Sequence, residues 1–398
     1  MKVHILTGES FPNGMAAVSR IKNYAKAIKE GGVEVEILIY RRTEVYGHVN
    51  NTELVGVHEG VPYRYIPSTT QRGRFRLLRF IKDQYDLRKT VQCLKRNLNQ
   101  GDVLFLYMSG RVQLMLRFMK VAHKKGAFAI RDLCELPYGT GAETGNAIRL
   151  RKVTIERQFP QLDGIISISD TLLNLARTYT LASCKHIKVP IMVDFNQYYL
   201  TDRSAEAQVP YIFHAGTLFQ QKDGILGMIE AFGKTVHQIP MPVKFVSTGN
   251  LDSSPHKEEI KRLVTQYHLE DRLQLLGYIG TEELKDYLSK ASCVIINKYR
   301  TQQNNYCFST KLGEYLAAAK PVIITCVGEA MNWLENEKSA YIVEPEDTDV
   351  LADAIVKVFN HPDESRKIGI AGQEVCRKCF DYRNWSKPLV EFLNQLGK

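Results

Sequence analysis

Short apolar runs alternate with longer helical stretches along almost the whole chain. Val3 to Leu6 reads as a buried strand, residues 15–30 as a helix, and VEVEILIY over 33–40 as a strand of alternating polarity. Further strands are predicted at Pro62–Ile66, Val103–Tyr107, Phe128–Ile130 and Gly164–Ser167, with helical patterns over 75–97 and 110–124. Strands that alternate with helices imply βαβ units and a parallel sheet covered by helices on both faces.

The pattern restarts after VPIMVDF near residue 190. The polar stretch TDRSAEAQ (201–208) is the best linker. Strands then follow at Tyr211–Ala215, Val243–Ser247, Leu273–Leu276, Val294–Ile296, Val322–Ile324 and Ala340–Val343. Thr281 is placed to cap one helix and Asp347 or Thr348 the next, where Leu351, Ala354, Ile355 and Val358 form one buried face. The fold class is therefore α/β, two Rossmann-like doubly wound domains in series. The expected boundaries are 1–195 and 196–375, with a C-terminal helix over 376–398 packing back toward the first domain. Ligands of such sheets bind beyond the carboxyl ends of the strands, so two facing sheets would make a cleft.

The length of 398 residues fits two domains, and 44% apolar with 24% charged residues is the balance of a globular protein. A net charge of +10 favours an anionic partner, or serves solubility alone. No segment is apolar for long enough to span a membrane, and the first apolar run ends at Gly8 and Glu9, too soon for a signal peptide. The expected location is the cytoplasm. Cys376 and Cys379 form a CxxC with no second ligand pair nearby, so they read as reduced thiols on a helix and no metal is expected.

Three loops could carry chemistry. In GESFPNGMAAVSRI, Gly14 and the small residues after it open a helix and leave its first amides accessible to an anion or a sugar. It is not a GxGxxG fingerprint, and a plain strand-to-helix turn would look the same. In HAGTLFQQKDGI, Gly216 and Thr217 make a tight turn, and Lys222 stands before a helix, placed to neutralise a diphosphate or simply solvated. In FSTKLGEYLAAAKPVII, Ser309 or Thr310 is placed to cap a helix, and Glu314 lies one turn in, where it could hold ribose hydroxyls or face solvent.

Together these segments resemble the GT-B glycosyltransferases, in particular the large retaining family 4 (glycosyl transferases group 1). The resemblance rests on AGTLFQQKDG, GYIGTEELKDYL, GEYLAAAKPVI and the downstream Glu344, Pro345 and Asp347, with the Gly14 loop, IISISDTL and KVPIMVDF in the first half. It covers essentially the whole chain. It implies a sugar transferred from a nucleoside-diphosphate sugar to a saccharide or lipid-linked acceptor, with retention of configuration and without a metal, in cell-surface polysaccharide or glycolipid synthesis. It assigns Lys222 to the leaving diphosphate, the amides of Phe308, Ser309 and Thr310 to phosphate, Glu314 to the ribose, the backbone near Tyr278 and Ile279 to the base, and Gly216 with Thr217 to the donor loop. Gly14 would border the diphosphate from the other domain.

The chain departs from the family pattern at three places. Thr217 stands where an arginine is common. Tyr306 replaces the first glutamate of the E-x7-E pair. Arg131 occupies the position of a strand-end histidine, where it could bind an anionic group but not act as a base, with Glu135 a nearby carboxylate. Two rival readings are a sugar-nucleotide epimerase and a non-catalytic nucleotide-sugar-binding protein on the same scaffold. The segment 71–89 carries seven basic and two acidic residues among Phe75, Leu78, Phe80 and Ile81. It reads either as a core-facing helix with a solvated basic face or as a peripheral contact with anionic membrane. Nothing in the chain reads as a nucleic-acid-recognition motif.

Overall fold

The structure, a computed structural model, describes residues 1–47, 49–108, 112–138, 144–199, 207 and 209–398. The expected linker 201–208 lies, except for Ala207, outside the described residues. The chain divides into two compact units, one of residues 1–192 with 382–398 and one of residues 193–381.

Eight strands build the sheet of the first unit: β1 Lys2–Thr7, β2 Glu34–Ile39, β3 Val55–His58, β4 Val61–Tyr65, β5 Val103–Tyr107, β6 Phe128–Leu133, β7 Gly164–Ser167 and β8 Lys185–Lys188. Its order is β3-β4-β2-β1-β5-β6-β7-β8. Every pairing is parallel except β3 with β4. That antiparallel hairpin was not read from the sequence, because VGVH is a four-residue edge strand with a glycine inside it, and its valines, Val55 and Val57, are exposed. The helices of this unit are α1 Ala16–Glu30, α2 Arg76–Asn97, α3 Val112–Lys124, α4 Gly145–Gln158 and α5 Asp170–Tyr179. Strand order reverses between β1 and β5, so the loops that follow these two strands flank the switch point of this sheet.

The second unit holds β9 Tyr211–His214, β10 Lys244–Ser247, β11 Leu273–Leu275, β12 Cys293–Ile296, β13 Val322–Thr325 and β14 Tyr341–Val343, all parallel, in the order β11-β10-β9-β12-β13-β14. Its helices are α6 Phe195–Tyr198, α7 Gln220–Asp223, α8 Ile225–Thr235, α9 Lys257–Gln266, α10 Thr281–Lys290, α11 Gln302–Tyr306, α12 Lys311–Ala317, α13 Thr348–Asn360 and α14 Pro362–Cys379. The switch point here lies between β9 and β12. The core behind it packs Ile212, Phe245, Cys293, Ile295 and Ile323 of the sheet against Ile225, Met228, Ile229 and Phe232 of α8 and Leu351 and Ile355 of α13.

Several local expectations are corrected. Gly280, not Thr281, precedes α10, and no side chain caps it. Neither Ser309 nor Thr310 caps α12; Thr310 is already helical in φ and ψ, so its hydroxyl is not aimed at the free amides. Asp347 does cap α13, accepting from the amides of Asp349 and Val350. The C-terminal stretch 376–398 is not one helix. Cys376 to Cys379 finish α14, a 3-10 turn covers Tyr382–Trp385, and α15 runs over Ser386–Asn394. Pro388 sits in the first turn of α15, where its missing N–H removes no helical bond. α15 belongs to the first unit: Leu389, Phe392, Leu393 and Leu396 join its core, and Ser386 Oγ donates to the Ala27 carbonyl at 2.8 Å.

A buried ion pair ties the first unit together. Arg20, 3% exposed on α1, donates through Nε and Nη2 to both oxygens of Asp132 on β6, each at 3.1 Å. Its remaining donors reach the carbonyls of Val189 at 3.1 Å and Pro190 at 2.7 Å. Tyr24 adds a hydroxyl to Asp132 at 2.7 Å. One guanidinium thus fastens a helix, a strand and the segment that leaves β8.

Candidate functional site

The residues with the most perturbed environments in the second unit gather at the carboxyl ends of β9, β10 and β12. Their centre is Asp223, only 2% exposed. Its Oδ2 accepts from the Thr217 amide at 2.8 Å and the Thr217 hydroxyl at 2.6 Å, so the loop after β9 is folded around this carboxylate. Its Oδ1 accepts from Lys311 Nζ, and Lys298 Nζ lies 3.9 Å away. Burial alone would raise the Asp223 pKa, but Lys311, His214 and Lys298 outweigh it and hold the carboxylate far below its usual range.

The lysines are in turn shaped by their surroundings. Lys298 lies two residues beyond β12 and donates to the Lys222 carbonyl. Burial, then Lys311 and, more weakly, Lys222 push its pKa down to about 8, while Asp223 opposes them. The ammonium of Lys222 is therefore near enough to repel that of Lys298, although its side chain is exposed. His214, the last residue of β9, is pushed down to about 3 by burial and by Lys311, so its ring is neutral at physiological pH. It pairs with Ser247 Oγ at 3.0 Å through Nδ1, and Lys311 Nζ stands 3.5 Å from Nε2. Two ammonium groups, those of Lys311 and Lys298, thus flank one buried carboxylate, an excess of positive charge at the switch point.

Glycines line the same rim. A Cβ on Gly216 would come within 2.5 Å of the His214 ring and 2.6 Å of Lys311 Nζ, so only glycine fits there. Gly249, at φ +99°, lies against the Gly216 carbonyl and bonds through its amide to Gly277 at 2.8 Å. The turn carrying Tyr278 and Ile279 is thereby joined to the Gly216 loop. Tyr278 is 75% exposed, a free aromatic face at the end of this row.

A small recess is lined by Lys298, Asn304, Cys307, Phe308, Ser309, Thr325 and Val327, among others. It brings together Lys298 and two of the three residues expected to offer phosphate amides, Phe308 and Ser309, while Thr310 is not in its lining. α12 behind them is a seven-residue helix, so most of the positive charge comes from the ammonium groups and little from a macrodipole. Glu314, one turn in, is half-buried rather than a surface carboxylate. Burial raises its pKa to about 7, against a hydrogen bond from Tyr198 and the charges of Lys311 and Lys285. A carboxyl raised in the folded state stabilises the fold fully below about pH 4.5 and loses that contribution as pH climbs through about 7. Glu314→Gln removes this titration. Its thermal midpoint should gain on the wild type between about pH 5 and 8, and a gap that stays constant over that range would show Glu314 ionised throughout.

In the first unit, Gly14 is exposed just before α1. It is not a positive-φ glycine; a Cβ there would meet Val18 Cγ2 at 2.4 Å and the Ser10 carbonyl at 2.6 Å. Arg131 is not at a strand end, because β6 continues to Leu133. It is 5% exposed and donates to Gln158 at 2.9 Å, which places it inside the helix–sheet packing rather than at the strand mouth. Glu135 is the exposed residue just beyond β6. Cys376 is buried with its thiol on the Gly313 carbonyl, a packing role for that member of the CxxC.

Sequence reasoning missed Asp223, Lys298, Lys311 and His214. The usable signals were polar residues at strand ends, His214 closing YIFH and Lys298 following VIIN, together with Lys311 beside the Ser-Thr pair.

The second unit is thus a parallel doubly wound sheet with a cationic, glycine-rimmed switch point, the place where sheets of this kind bind their ligands. Residues 209–361 match the family model described as glycosyl transferases group 1, so the second unit carries a domain of that family. The alpha-1,3/1,6-mannosyltransferase ALG2 of Dictyostelium discoideum is 30% identical over 151 residues, which cover 38% of this chain and about a third (34%) of that protein. Across the whole chain, sucrose-phosphate synthase from Thermosynechococcus elongatus is similar at TM-score 0.73 and 18% identity, covering 99% of this chain and 98% of its own. Anabaena HepE in complex with UDP-glucose is similar at TM-score 0.72 and 15% identity, covering 100% of both chains. The fold is that of the GT-B glycosyltransferases.

Proposed function

We propose that the chain is a glycosyltransferase that moves a sugar from a nucleoside-diphosphate sugar to a saccharide or lipid-linked acceptor. The observation that carries this reading is the pair Lys298 and Lys311 against Asp223 at the β9/β12 switch point, with the exposed Lys222 beside Lys298. Negative charge grows on the departing diphosphate as the glycosidic bond breaks. Ammonium groups already fixed by Asp223 meet that charge without reorganising. Lys298 and Lys311 take over the contact left open by Thr217, whose donors are spent on Asp223. In this reading the Phe308, Ser309 and Thr310 amides receive phosphate oxygens and Glu314 the ribose. The Tyr278–Ile279 turn receives the base.

The chemistry needs no divalent ion, because lysines supply the charge, and retention of configuration belongs to the same proposal. Support also comes from relatives: one is a mannosyltransferase by name, and another was solved with UDP-glucose. A role in cell-surface polysaccharide or glycolipid synthesis at the inner face of the membrane completes the reading. No helix among the described residues is long and apolar enough to cross a membrane. The first half of α2, however, is not core-facing: Phe75 before it and Leu77, Leu78, Phe80 and Ile81 within it are 50% to 74% exposed beside Arg74, Arg76 and Arg79. Such a face suits an interfacial helix.

The test is a thermal-shift series against uridine, guanosine and adenosine diphosphates and their sugars. A matching nucleotide should raise stability by about 2.7 kcal/mol at a hundredfold excess over its Kd, and the matching sugar should then be released from its nucleotide on addition of acceptor extract. No shift with any of them would remove the proposal.

A further inference from the structure

One cleft is lined entirely by residues of the first unit. It measures about 320 Å³, within the range of small-ligand sites, and is lined by Arg41, Arg42, Arg72, Arg76 and Arg79, with Asp83 and Asp86 as the acidic residues. Five guanidinium groups against two carboxylates leave a local excess of positive charge. The cleft stands at the carboxyl ends of strands, where doubly wound sheets bind ligands. Arg41 and Arg42 follow β2, and Arg41 Nε donates to the carbonyl of Gly8, just past β1, at 2.8 Å.

Arg41, Arg42 and Arg72 are held rather than loose. Arg72 Nε donates to the Arg42 carbonyl at 3.1 Å, and Arg42 Nη2 lies 2.9 Å from Asp86. Arg42 is 6% exposed, lines the cleft, and its buried Nε has no hydrogen-bond partner. A buried donor without a partner costs free energy unless a ligand completes it. Burial and the proximity of Arg41 and Arg79 lower the pKa of Arg72, as expected of cations crowded together without enough counter-charge.

We infer that this cleft binds a phosphate or diphosphate group carried by the acceptor. Planar guanidinium forks match phosphate oxygens two at a time, and several converging on one cavity select a multiply charged anion over a neutral sugar. The inference rests on the glycosyltransferase reading for the word acceptor, but the anion site stands on the arginines alone.

Hydrogen exchange on the full chain separates the two. Inorganic pyrophosphate should slow exchange over residues 72–87. The exposed pair Arg76→Gln/Arg79→Gln should weaken that protection by about tenfold or more, the loss of two charge-assisted contacts. Lys298→Ala should leave it unchanged. Vesicles of phosphatidylcholine, with and without phosphatidic acid, form the second arm. Protection by soluble pyrophosphate but not by phosphatidic acid assigns the cleft to the phosphate of a water-soluble acceptor. Arginine-dependent protection only by phosphatidic acid assigns it to a lipid-borne phosphate. Protection confined to 214–222 and 297–311 overturns the cleft and leaves the donor site standing. Protection confined to 72–87 upholds the cleft and removes the donor site. No arginine-dependent protection in either arm overturns the inference.

Discussion

Lys298→Ala should lower the rate of sugar transfer by roughly a hundred- to a thousandfold, the usual cost of deleting one preorganised group that meets developing charge, about 2.7–4 kcal/mol. Lys298 is better placed for this than Lys222, the lysine that stands out in the sequence. It follows β12 at the switch point, is held by the Lys222 carbonyl, and shares a wall with Phe308 and Ser309. Lys222 projects into solvent, so Lys222→Ala should cost less, about tenfold. The fold should survive Lys298→Ala, because Asp223 keeps Lys311 and both Thr217 donors. Steady-state rates with the matched donor, alongside thermal midpoints, decide the matter. If Lys298→Ala turns over normally while Lys222→Ala does not, the diphosphate is gripped by the exposed lysine and the assignment made here reverses.

Asp132→Ala should destabilise the first unit by about 3–5 kcal/mol, the loss that follows when one partner of a buried pair is removed. The residue left behind is Arg20, 3% exposed, with two of its bonds gone and no water-facing route for its charge. Tyr24 loses the acceptor of its hydroxyl at the same time. The carbonyls of Val189 and Pro190 remain bonded to Arg20, yet they cannot neutralise a guanidinium. Denaturant unfolding followed by a probe in the first unit measures the change. A loss under about 1 kcal/mol would mean that solvent reaches Arg20 once the carboxylate is gone.

Both effects depend on pairs that no local pattern announces. Arg20 and Asp132 are 112 residues apart in the chain, and Lys311 and Asp223 are 88 apart. A lysine after a strand or an aspartate before a glycine looks solvated in sequence, because most such residues are. The same blindness affected Arg131. AFAIRD reads as a strand ending near the arginine, but the sheet pairs Arg131 with Ile165 and carries on to Leu133, turning a presumed mouth residue into packing. It affected the caps of α10 and α12 as well, where a hydroxyl at a plausible position is not aimed at the free amides.

What the residues alone determined was the sequence of elements. Continuous apolar runs such as VLFLY, and helices with one apolar face, force strands and crossover helices to alternate, since each face must be buried somewhere. Glycine at the end of β9 likewise marked the loop that folds around Asp223. What the tertiary structure decided was charge: which lysines share a carboxylate, which histidine is neutral, and which arginines converge on a cleft. Burial and distance set those energies, and both exist only after strands distant in sequence have become neighbours.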